Sequence, residues 1–301
     1  MEQEFKSGFI SIVGRTNVGK STLLNSLTGE KVAITANKSQ TTRNAIRAIV
    51  NRKSSQMVFI DTPGVHKPKT KLGEVMVETA YGAIKDVDLV VFVVDATRKE
   101  IPKGDSIILE KIKEAKPKTI LVLNKIDLIP KEELLHLIAL YQKEYSFEAV
   151  VPISALQKEN IEVLLDEIEK YLKPGPAYYD MEEYTDQTER QLVEEVIREK
   201  ALQFLDEEVP HGIYVETESM KERKTKKEEE IYDIEAIIYC LRESHKGIII
   251  GKKGAMLKRI ASASRYELEK MLEIKINLKV WVKVRENWQE KTSIVNRFKN
   301  Q

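Results

Sequence analysis

The stretch GRTNVGKS, residues 14 to 21, has the residue types and spacing that hold a phosphate chain. It lies between the apolar run FISIV and the helical pattern STLLNSL, so a tight turn joins a strand to a helix. Backbone N–H groups and the helix dipole would surround a phosphate there, with Lys20 neutralising its charge and Ser21 binding Mg²⁺. The candidate binding residues of this loop are Gly14, Arg15, Asn17, Val18, Gly19, Lys20, Ser21 and Thr22, and Lys20 is also a candidate catalytic residue.

A second polar turn, DTPG, ends the apolar run MVFI. The Asp61 carboxylate at the end of that run is expected to hold Mg²⁺ through a water molecule. The backbone N–H of Gly64 is expected to contact a γ-phosphate, which makes Gly64 a second catalytic candidate. The tetrapeptide alone would predict a plain turn. Its position after a strand and downstream of a phosphate loop favours the metal and phosphate role.

The tetrapeptide NKID, residues 124 to 127, indicates which base the site prefers. The Asp127 carboxylate could accept two hydrogen bonds from guanine, at the ring N–H and at the exocyclic amine. Adenine offers neither donor in that position, so ATP would leave the carboxylate unpaired. We expect Asn124 to brace the surrounding loops and touch the purine edge, and the Lys125 stem to cover the base face.

The tripeptide SAL adds Ser154, Ala155 and Leu156 after the run AVVPI, and the Ala155 N–H is expected to meet the guanine oxygen. These three residues alone predict little. The four motifs together occur in order, each at the carboxyl end of a predicted strand, and so predict a guanine-nucleotide site.

The stretch HKGIIIGKKGAMLKRI, residues 245 to 260, places two lysines between two glycines and between two helical patterns. It resembles the KH RNA-binding module, whose loop lets a nucleic-acid backbone approach closely. The lysines would meet phosphates and the isoleucines would line a groove for bases. On the tetrapeptide GKKG alone, a helix–helix turn with solvated lysines is the alternative. The RNA-binding candidates are Gly247, Ile248, Ile249, Ile250, Gly251, Lys252, Lys253, Gly254, Lys258 and Arg259.

Charge is unevenly distributed over the last part of the chain. Residues 181 to 240 contain 8 basic and 18 acidic residues, a net charge of −10. Residues 241 to 301 contain 15 basic and 6 acidic residues, a net charge of +9. This basic segment favours an RNA partner for the GKKG loop, in single-stranded form because a KH groove reads unpaired bases.

The nucleotide motifs lie among strand-like runs separated mostly by amphipathic stretches. This alternation predicts an α/β domain with a mostly parallel six-stranded sheet and helices on both faces. A short polar turn inside AIRAIVNRKSSQMVFID predicts a hairpin, which makes the sheet mixed through one antiparallel edge strand. The runs are FISIV, AIRAIV, MVFID, DLVVFVVDA, TILVLN and AVVPIS.

Two prolines and a glycine before an acidic stretch, in KPGPAYYDMEEYTD, are typical of a linker. We assign residues 1–173 to the G domain, 174–186 to the linker, and 187–301 to a KH-type domain with a C-terminal helix. The patterns in this last part follow the order helix, strand, strand, helix, helix, strand, as in a small α+β domain of the type II KH arrangement. The stretch KERKTKKEEE is expected to form the solvated tip between its first two strands, with a binding arm as the alternative.

Residues 8 to 172, with these four motifs, resemble the G domain of the translation-factor-related P-loop GTPases. NKSQTTRN, DTPGVHKPK and the C-terminal part make the whole chain similar to the Era-type ribosome-assembly GTPases. The resemblance implies GTP and GDP with Mg²⁺, and a threonine that completes the Mg²⁺ shell, either Thr41 or Thr42; we favour Thr42, as a further catalytic candidate. It also implies that the RNA partner is the 3′ end of small-subunit ribosomal RNA.

Val65 follows the DTPG glycine, where Ras-type enzymes have a glutamine that orients the attacking water. Because an apolar side chain cannot do this, we expect slow intrinsic hydrolysis that needs a partner or a cation. Asn17 occupies the position of a K⁺ ligand in GTPases that use this cation, which makes it a catalytic candidate. The alternative is that Asn17 only supports the loop backbone.

The amino-acid composition indicates the cellular compartment in which the protein is expected. The 301 residues include a single cysteine, Cys240, which excludes internal disulfides and multi-thiolate zinc sites and favours a reducing cytoplasm. It lies in an apolar run and is expected to be buried. No apolar run approaches the length of a membrane span, so we expect no integral membrane segment, with peripheral association as an alternative. We expect a monomer.

These patterns predict a GTP-hydrolysing switch coupled to a KH RNA-binding domain, acting in maturation of the small ribosomal subunit. One alternative is a signalling GTPase whose C-terminal domain docks proteins. Another is an RNA-binding module with a structural nucleotide that is not hydrolysed. RNA binding by the C-terminal part and turnover of GTP distinguish these alternatives from the main hypothesis.

Overall fold

Residues 4–35, 38, 42–43, 46–64, 68, 70–85, 87–224 and 228–296 are described by the computed structural model of the chain. Contacts between residues divide the chain into two units. The first unit contains Met1–Ala33, Thr42–Asp186 and Asn296–Gln301, and the second contains Ile34–Thr41 and Gln187–Val295.

The first unit is built on a sheet in which all six predicted strands are present. Its strand order is β2-β3-β1-β4-β5-β6, parallel throughout except that β2 pairs antiparallel with β3 at one edge, as the predicted hairpin requires. The elements are β1 (Lys6–Val13), α1 (Lys20–Thr28), β2 (Ile46–Arg52), β3 (Ser55–Asp61), α2 (Lys71–Gly82), β4 (Leu89–Asp95), α3 (Lys103–Ala115), β5 (Thr119–Asn124), α4 (Lys131–Glu144), β6 (Ala149–Ile153), α5 (Ile161–Glu169) and β7 (Lys173–Pro174).

Alternate residues of β4 enter two different apolar clusters, one on each face of the sheet. Leu89, Val91 and Val93 pack with apolar residues of α1 and α5. Val90 and Phe92, together with Val94, pack with residues of α3 and α4. The strand is therefore apolar on both faces, which is why its sequence is a continuous apolar run and not an alternating one.

The two-residue strand β7 was not predicted from the sequence. β1 pairs with β4 only from Ile10 onward, so the backbone of Lys6 and Ser7 is open on that side. β7 pairs antiparallel with these two residues and brings the predicted linker back to the sheet. This raises the number of strands in the sheet to seven.

The segment predicted as a linker packs along the edge strand β2. The Asn51 side chain donates to the carbonyls of Met181 and Glu183, and the Ile49 N–H donates to the Tyr184 carbonyl at 3.0 Å. Because β2 is an edge strand, its outer backbone groups have no strand partner and can hydrogen-bond with this segment. The composition of the segment predicted a linker, and it carries no signal for this pairing.

The second unit has the predicted order of elements and a three-stranded sheet, β10-β9-β8. β8 pairs antiparallel with β9, and β9 pairs in parallel with β10. The elements are α6 (Glu189–Phe204), β8 (Tyr214–Lys224), β9 (Glu230–Cys240), α7 (Glu243–Ile250), α8 (Ala255–Leu272), β10 (Lys275–Val284) and α9 (Thr292–Val295).

Three details of the second unit bear on the sequence predictions. Half of the stretch KERKTKKEEE, residues 221–224 and 230, belongs to β8 and β9, while residues 225–227 lie outside the described residues. The C-terminal helix is the four-residue α9, and residues 297–301 also lie outside the described part. The Cys240 thiol is buried, as expected, and burial raises its pKa.

A buried carboxylate on α6 belongs to the second unit together with residues 34–41. Glu199 is fully buried and accepts a hydrogen bond from the backbone N–H of Thr35 at 2.9 Å. The Lys200 ammonium lies 3.1 Å from Glu199 and 3.3 Å from Glu267, so the buried charges are compensated.

Within the described residues, no helix has both the length and the apolar character needed to cross a membrane.

The two tryptophans provide a test of the second core. Trp288 is fully buried, donates from Nε1 to the Gly212 carbonyl at 3.0 Å, and has its ring centroid 4.7 Å from that of Tyr214. We expect Trp288→Ala to lower the free energy of unfolding of this unit by about 3–5 kcal/mol, because a large cavity forms. Trp281 is 42% exposed, so Trp281→Ala is the matched control, with an expected loss of less than about 1 kcal/mol. Denaturant titrations followed by circular dichroism measure both, and equal losses would contradict the assignment.

Candidate nucleotide and RNA sites

The loop between β1 and α1 requires glycine where α1 begins. Gly19 is the N-cap of α1 and has a φ of 98°, in the left-handed region. A Cβ atom at this position would lie 2.3 Å from Nδ2 of Asn124, a distance that no real contact allows. Two constraints therefore require glycine at position 19. One is its left-handed backbone conformation, and the other is the close approach of the Asn124 side chain.

Lys20 is folded back onto this loop. Its side chain is buried, and its ammonium donates to the carbonyls of Gly14 at 3.1 Å and Arg15 at 3.0 Å. Burial lowers the pKa of this ammonium, and the nearby Asp61 carboxylate opposes the shift. The loop therefore holds a positive charge at its centre, where a phosphate would lie.

Three oxygen-bearing side chains converge beside Lys20. The Ser21 and Thr42 hydroxyl oxygens are 2.9 Å apart, and each donates to Oδ2 of Asp61 at 3.2 Å. Asp61 is fully buried, and burial raises the pKa of its carboxyl. Its Oδ1 has no hydrogen-bond partner within the described part of the chain. Thr42, the favoured threonine, is thus in the cluster, whereas Thr41 lies outside the described residues.

Gly64 approaches the phosphate loop closely. A Cβ atom there would lie 2.7 Å from Cγ2 and 2.9 Å from the backbone N of Thr16, so a side chain would push the two turns apart. Val65, on which the expectation of slow hydrolysis rests, lies outside the described residues.

The buried amide of Asn124, at the end of β5, connects three segments. Its Nδ2 donates to the Val18 carbonyl at 2.8 Å, and its Oδ1 accepts from the backbone N–H groups of Lys125 at 2.8 Å and Ala155 at 3.0 Å. The predicted bracing role is therefore present in the geometry. The Ala155 N–H already has this partner, so its predicted bond to a guanine oxygen would require that hydrogen bond to be shared or exchanged.

Lys125 spans the site and uses a partner that sequence reasoning missed. Its ammonium donates to Oδ2 of Asp95 at 2.6 Å and to the Asn17 carbonyl at 2.9 Å. Asp95 ends β4 at the same edge of the sheet as NKID ends β5, and this shared position was the available signal. Asn17 itself has a φ of 64°, and its side chain is exposed.

Asp127 lies at the open rim of the site. Within the described part of the chain its carboxylate is exposed and makes no hydrogen bond or ion pair, so both oxygens are free to accept from a ligand. In the SAL motif, the Leu156 side chain is 74% exposed. Ser154 is fully buried, and its hydroxyl accepts a hydrogen bond from the Gln157 N–H at 3.2 Å.

The remaining loop residues have structural partners. Arg15 donates from Nε to Asp105 on α3 at 2.9 Å, and the Tyr141 hydroxyl donates to the same carboxylate at 3.0 Å. Val18 is buried in the core, and Thr22 lies in the first turn of α1. Any contact of Arg15 or Val18 with a phosphate would therefore use the backbone.

In the second unit, the GKKG turn joins α7 to α8 through three positive φ angles. They are 71° at Gly251, 51° at Lys253 and 78° at Gly254. The Lys252 and Lys253 side chains are exposed and contact no carboxylate among the described residues. The turn therefore presents two free ammonium groups and a backbone with little side-chain cover.

The three isoleucines before this turn differ in exposure. Ile248 is 51% exposed and Ile250 is half-buried, so both remain candidates for contact with bases. Ile249 is fully buried in the core of the unit, which the prediction of a base contact did not anticipate. The physical reason is the helical period of α7, which turns one residue of each consecutive group inward.

The other RNA-binding candidates lie beside the turn. A Cβ atom at Gly247 would meet no neighbouring atom, so this position is open. Lys258 is exposed on α8, and the Arg259 guanidinium stacks over the Phe204 ring with its Cζ atom 4.1 Å from the centroid.

Comparison with known proteins extends over both units. A family model described as 50S ribosome-binding GTPase matches residues 9–125, and a KH domain model matches residues 208–289. GTPase Era of Clostridioides difficile (strain 630) is 52% identical over 295 residues, 98% of each chain. GTPase Era of Caldanaerobacter subterraneus subsp. tengcongensis is 51% identical over 294 residues, 98% of this chain and 97% of that one.

Two crystal structures are similar over nearly the whole chain. Era in complex with MgGDPNP and nucleotides 1506–1542 of 16S ribosomal RNA has a TM-score of 0.93 and 39% identity, covering 98% of both chains. A variant of Aquifex aeolicus Era bound to GDP·AlF4⁻ has a TM-score of 0.92 and 38% identity, covering 98% of this chain and 99% of that one. With the four nucleotide motifs at one edge of its sheet and a KH domain after them, the chain belongs to the GTPase Era family.

Proposed function

We propose that this chain is a GTP-hydrolysing switch that binds the 3′ end of 16S ribosomal RNA through its KH domain and acts in assembly of the small ribosomal subunit. The observation that carries the proposal is the convergence of Lys20, Ser21, Thr42 and Asp61 in one unit, in a chain whose other unit presents the GKKG turn. The 16S ribosomal RNA bound by the related Era structure supports the RNA partner.

The residues around Asp61 fit a magnesium ion. Mg²⁺ prefers oxygen ligands, and the cluster offers two hydroxyls and one carboxylate, whose Oδ1 atom has no hydrogen-bond partner among the described residues. Among the described residues, no group of three or more His, Cys, Asp or Glu side chains could hold a metal, so a zinc-type site has no support there. We assign Ser21 and Thr42 as direct ligands and Asp61 as a ligand through water. The ion would supply positive charge that offsets the negative charge of the GTP phosphates.

The chain's own residues have distinct roles in hydrolysis. Lys20 exchanges its loop carbonyls for the β- and γ-phosphate oxygens and stabilises the charge that develops on them. Gly64 brings its N–H to the γ-phosphate side of the loop because it packs against Thr16. Asn124 holds the loops at the correct spacing, Lys125 covers the base face, and Asp127 accepts the two guanine donors.

The nucleotide motifs and the GKKG turn lie in different domains of the chain. We assign residues 1–173 to the G domain, 174–186 to the connecting segment and 187–301 to the KH domain. The packing of 181–184 on β2 supports grouping the connecting segment with the G domain. We place the protein in the cytoplasm, as a monomer, because its single cysteine is a free thiol and the proposed RNA partner is ribosomal.

Asp127→Asn tests the assignment of the base. The variant should bind GTP at least about 100-fold more weakly, because two hydrogen bonds to a charged acceptor are lost. It should gain affinity for xanthosine triphosphate, since the new amide donates to the carbonyl at position 2. Nucleotide titrations of parent and variant, with ATP as a control that neither binds, measure both effects. An unchanged affinity for GTP would remove Asp127 from the site.

Exchange of Na⁺ for K⁺ tests the cation. Hydrolysis by the parent should be several-fold faster in K⁺ at equal ionic strength, and Asn17→Ala should abolish the difference because it removes the oxygen ligand. Asn17→Gly is the matched control: glycine suits the φ of 64° yet also lacks the oxygen, so it should behave like alanine. If Asn17→Gly keeps the K⁺ effect, the residue only supports the backbone; equal rates in both salts would exclude the cation.

Reversing both loop charges, Lys252→Asp with Lys253→Asp, tests the RNA site. RNA binding should be abolished, while GTP affinity and basal hydrolysis stay nearly unchanged. If some binding remains, its salt slope should be smaller by about 1.4, or 0.7 for each lost phosphate contact. Lys221→Asp with Lys224→Asp, an equal charge change on β8, is the control and should leave binding nearly intact. Filter binding with the RNA of nucleotides 1506–1542 measures both. Parental affinity in the loop variant would show that GKKG is an ordinary turn.

A further inference from the structure

The helix α8 has one face in the core and an opposite face in solvent. Ile260, Ser264 and Leu268, four residues apart, are fully buried. At 3.6 residues per turn, the side chains roughly opposite this row form an outward face. We name four exposed side chains of that face the α8 stripe: Lys258, Arg265, Tyr266 and Lys270. Arg259 shares the face but stacks over the Phe204 ring.

The cations of the α8 stripe are not neutralised. Within the described residues, Lys258, Arg265 and Lys270 contact no carboxylate. The two carboxylates inside α8 are engaged elsewhere: Glu267 pairs with Lys200 at 3.3 Å, and Glu269 accepts from a backbone N–H of β10 at 3.1 Å. Glu269 keeps its charge, so the face is predominantly basic, with three cations that contact no carboxylate among the described residues.

Lysines elsewhere in the same unit behave differently. On β10, three lysines each lie within 4 Å of a glutamate: Lys275 with Glu229 at 2.9 Å, Lys283 with Glu218 at 3.3 Å, and Lys279 with Glu235 at 3.6 Å. The lysines of β10 thus lie on a surface of mixed charge. Among the described residues, the cations of the α8 stripe and of the GKKG turn contact no carboxylate, and a polyanion would complement both.

Tyr266 adds an aromatic surface to this basic face. It is 72% exposed and makes no ring contact or hydrogen bond among the described residues. An exposed aromatic ring between cations is the combination on which bases of unpaired RNA stack while the cations contact phosphates. A membrane surface would instead need outward apolar side chains, and the apolar face of α8 is occupied by the core.

The stripe is continuous with the GKKG turn. Gly254 is the N-cap of α8, and the first N–H of the helix, that of Ala255, donates to the Lys252 carbonyl. The positive end of the helix dipole therefore lies beside Lys252 and Lys253, where it favours a phosphate. From Lys258 to Lys270 the stripe extends about 18 Å along the helix, at 1.5 Å per residue. A strand leaving the turn along α8 would therefore meet cations over several nucleotides.

We propose that the α8 stripe is a second contact surface for the RNA strand held at the GKKG turn. Lys258, Arg265 and Lys270 contact its phosphates, and Tyr266 stacks on one of its bases. The inference rests on the proposed RNA-binding function and extends it, because it makes affinity depend on nucleotides beyond those at the turn.

Binding of a nested series of RNAs tests this surface. The series begins with nucleotides 1506–1542 of 16S ribosomal RNA and is shortened from either end. For the full fragment, Arg265→Ala with Lys270→Ala should bind about tenfold more weakly, with a salt slope smaller by about 1.4. Tyr266→Ala should bind at least about fivefold more weakly with an unchanged slope, because stacking releases no counterions. Lys279→Ala with Lys283→Ala, which removes paired lysines, is the matched control and should bind like the parent.

The shortest RNAs separate this inference from the function on which it rests. Once the series no longer reaches the stripe, the α8 variants should bind like the parent, while Lys252→Asp with Lys253→Asp should still fail to bind. If the α8 variants equal the parent at every length and the loop variant fails, the stripe is a solvated face and the inference is wrong. If the parent binds no RNA of the series, the proposed function fails first. Circular dichroism verifies that each variant is folded.

Discussion

The buried amide of Asn124 is the interaction on which the nucleotide site depends. It donates to the phosphate loop at the Val18 carbonyl and accepts from the base-side turns at Lys125 and Ala155. A buried amide left without partners would destabilise the fold, so these turns must stay at hydrogen-bond distance from it. Its closeness also excludes any side chain at Gly19, which sets the shape of the phosphate loop. One side chain thus fixes the spacing between the parts that would hold phosphate and base.

Close to Asn124, the site contains polar groups whose hydrogen bonds within the fold are incomplete. Lys20 donates to loop carbonyls, and one oxygen of the fully buried Asp61 has no hydrogen-bond partner in the described segments. Opposite shifts in their pKa values, lowered for Lys20 and raised for Asp61, both result from burial of a charge. A magnesium ion and a phosphate chain would supply the missing partners, so ligand binding would stabilise this part of the fold.

The sequence predicted the elements better than their pairings. All six strands of the G domain, its antiparallel edge and the order of elements in the KH domain are confirmed, because apolar runs and glycine turns are local signals. The strand β7 and the packing of 181–184 on β2 depend on open backbone groups of distant strands, which no local pattern reveals. The burial of Ile249 depends on which face of α7 turns toward the core. The ion pair of Lys125 with Asp95 depends on which strands are neighbours in the sheet. The site motifs came together because each ends a parallel strand at one edge.

Phosphate release with GTP or ATP as the only nucleotide, in Mg²⁺, is the most direct measurement of the central claim that this site hydrolyses guanine nucleotide. The account predicts release from GTP that stops when Mg²⁺ is chelated, because Ser21, Thr42 and Asp61 form an incomplete cluster without the ion. It predicts release from ATP at least about 100-fold slower at equal subsaturating concentration, since adenine cannot pair with Asp127. Comparable release from both nucleotides, or release from GTP that survives chelation of Mg²⁺, would contradict it.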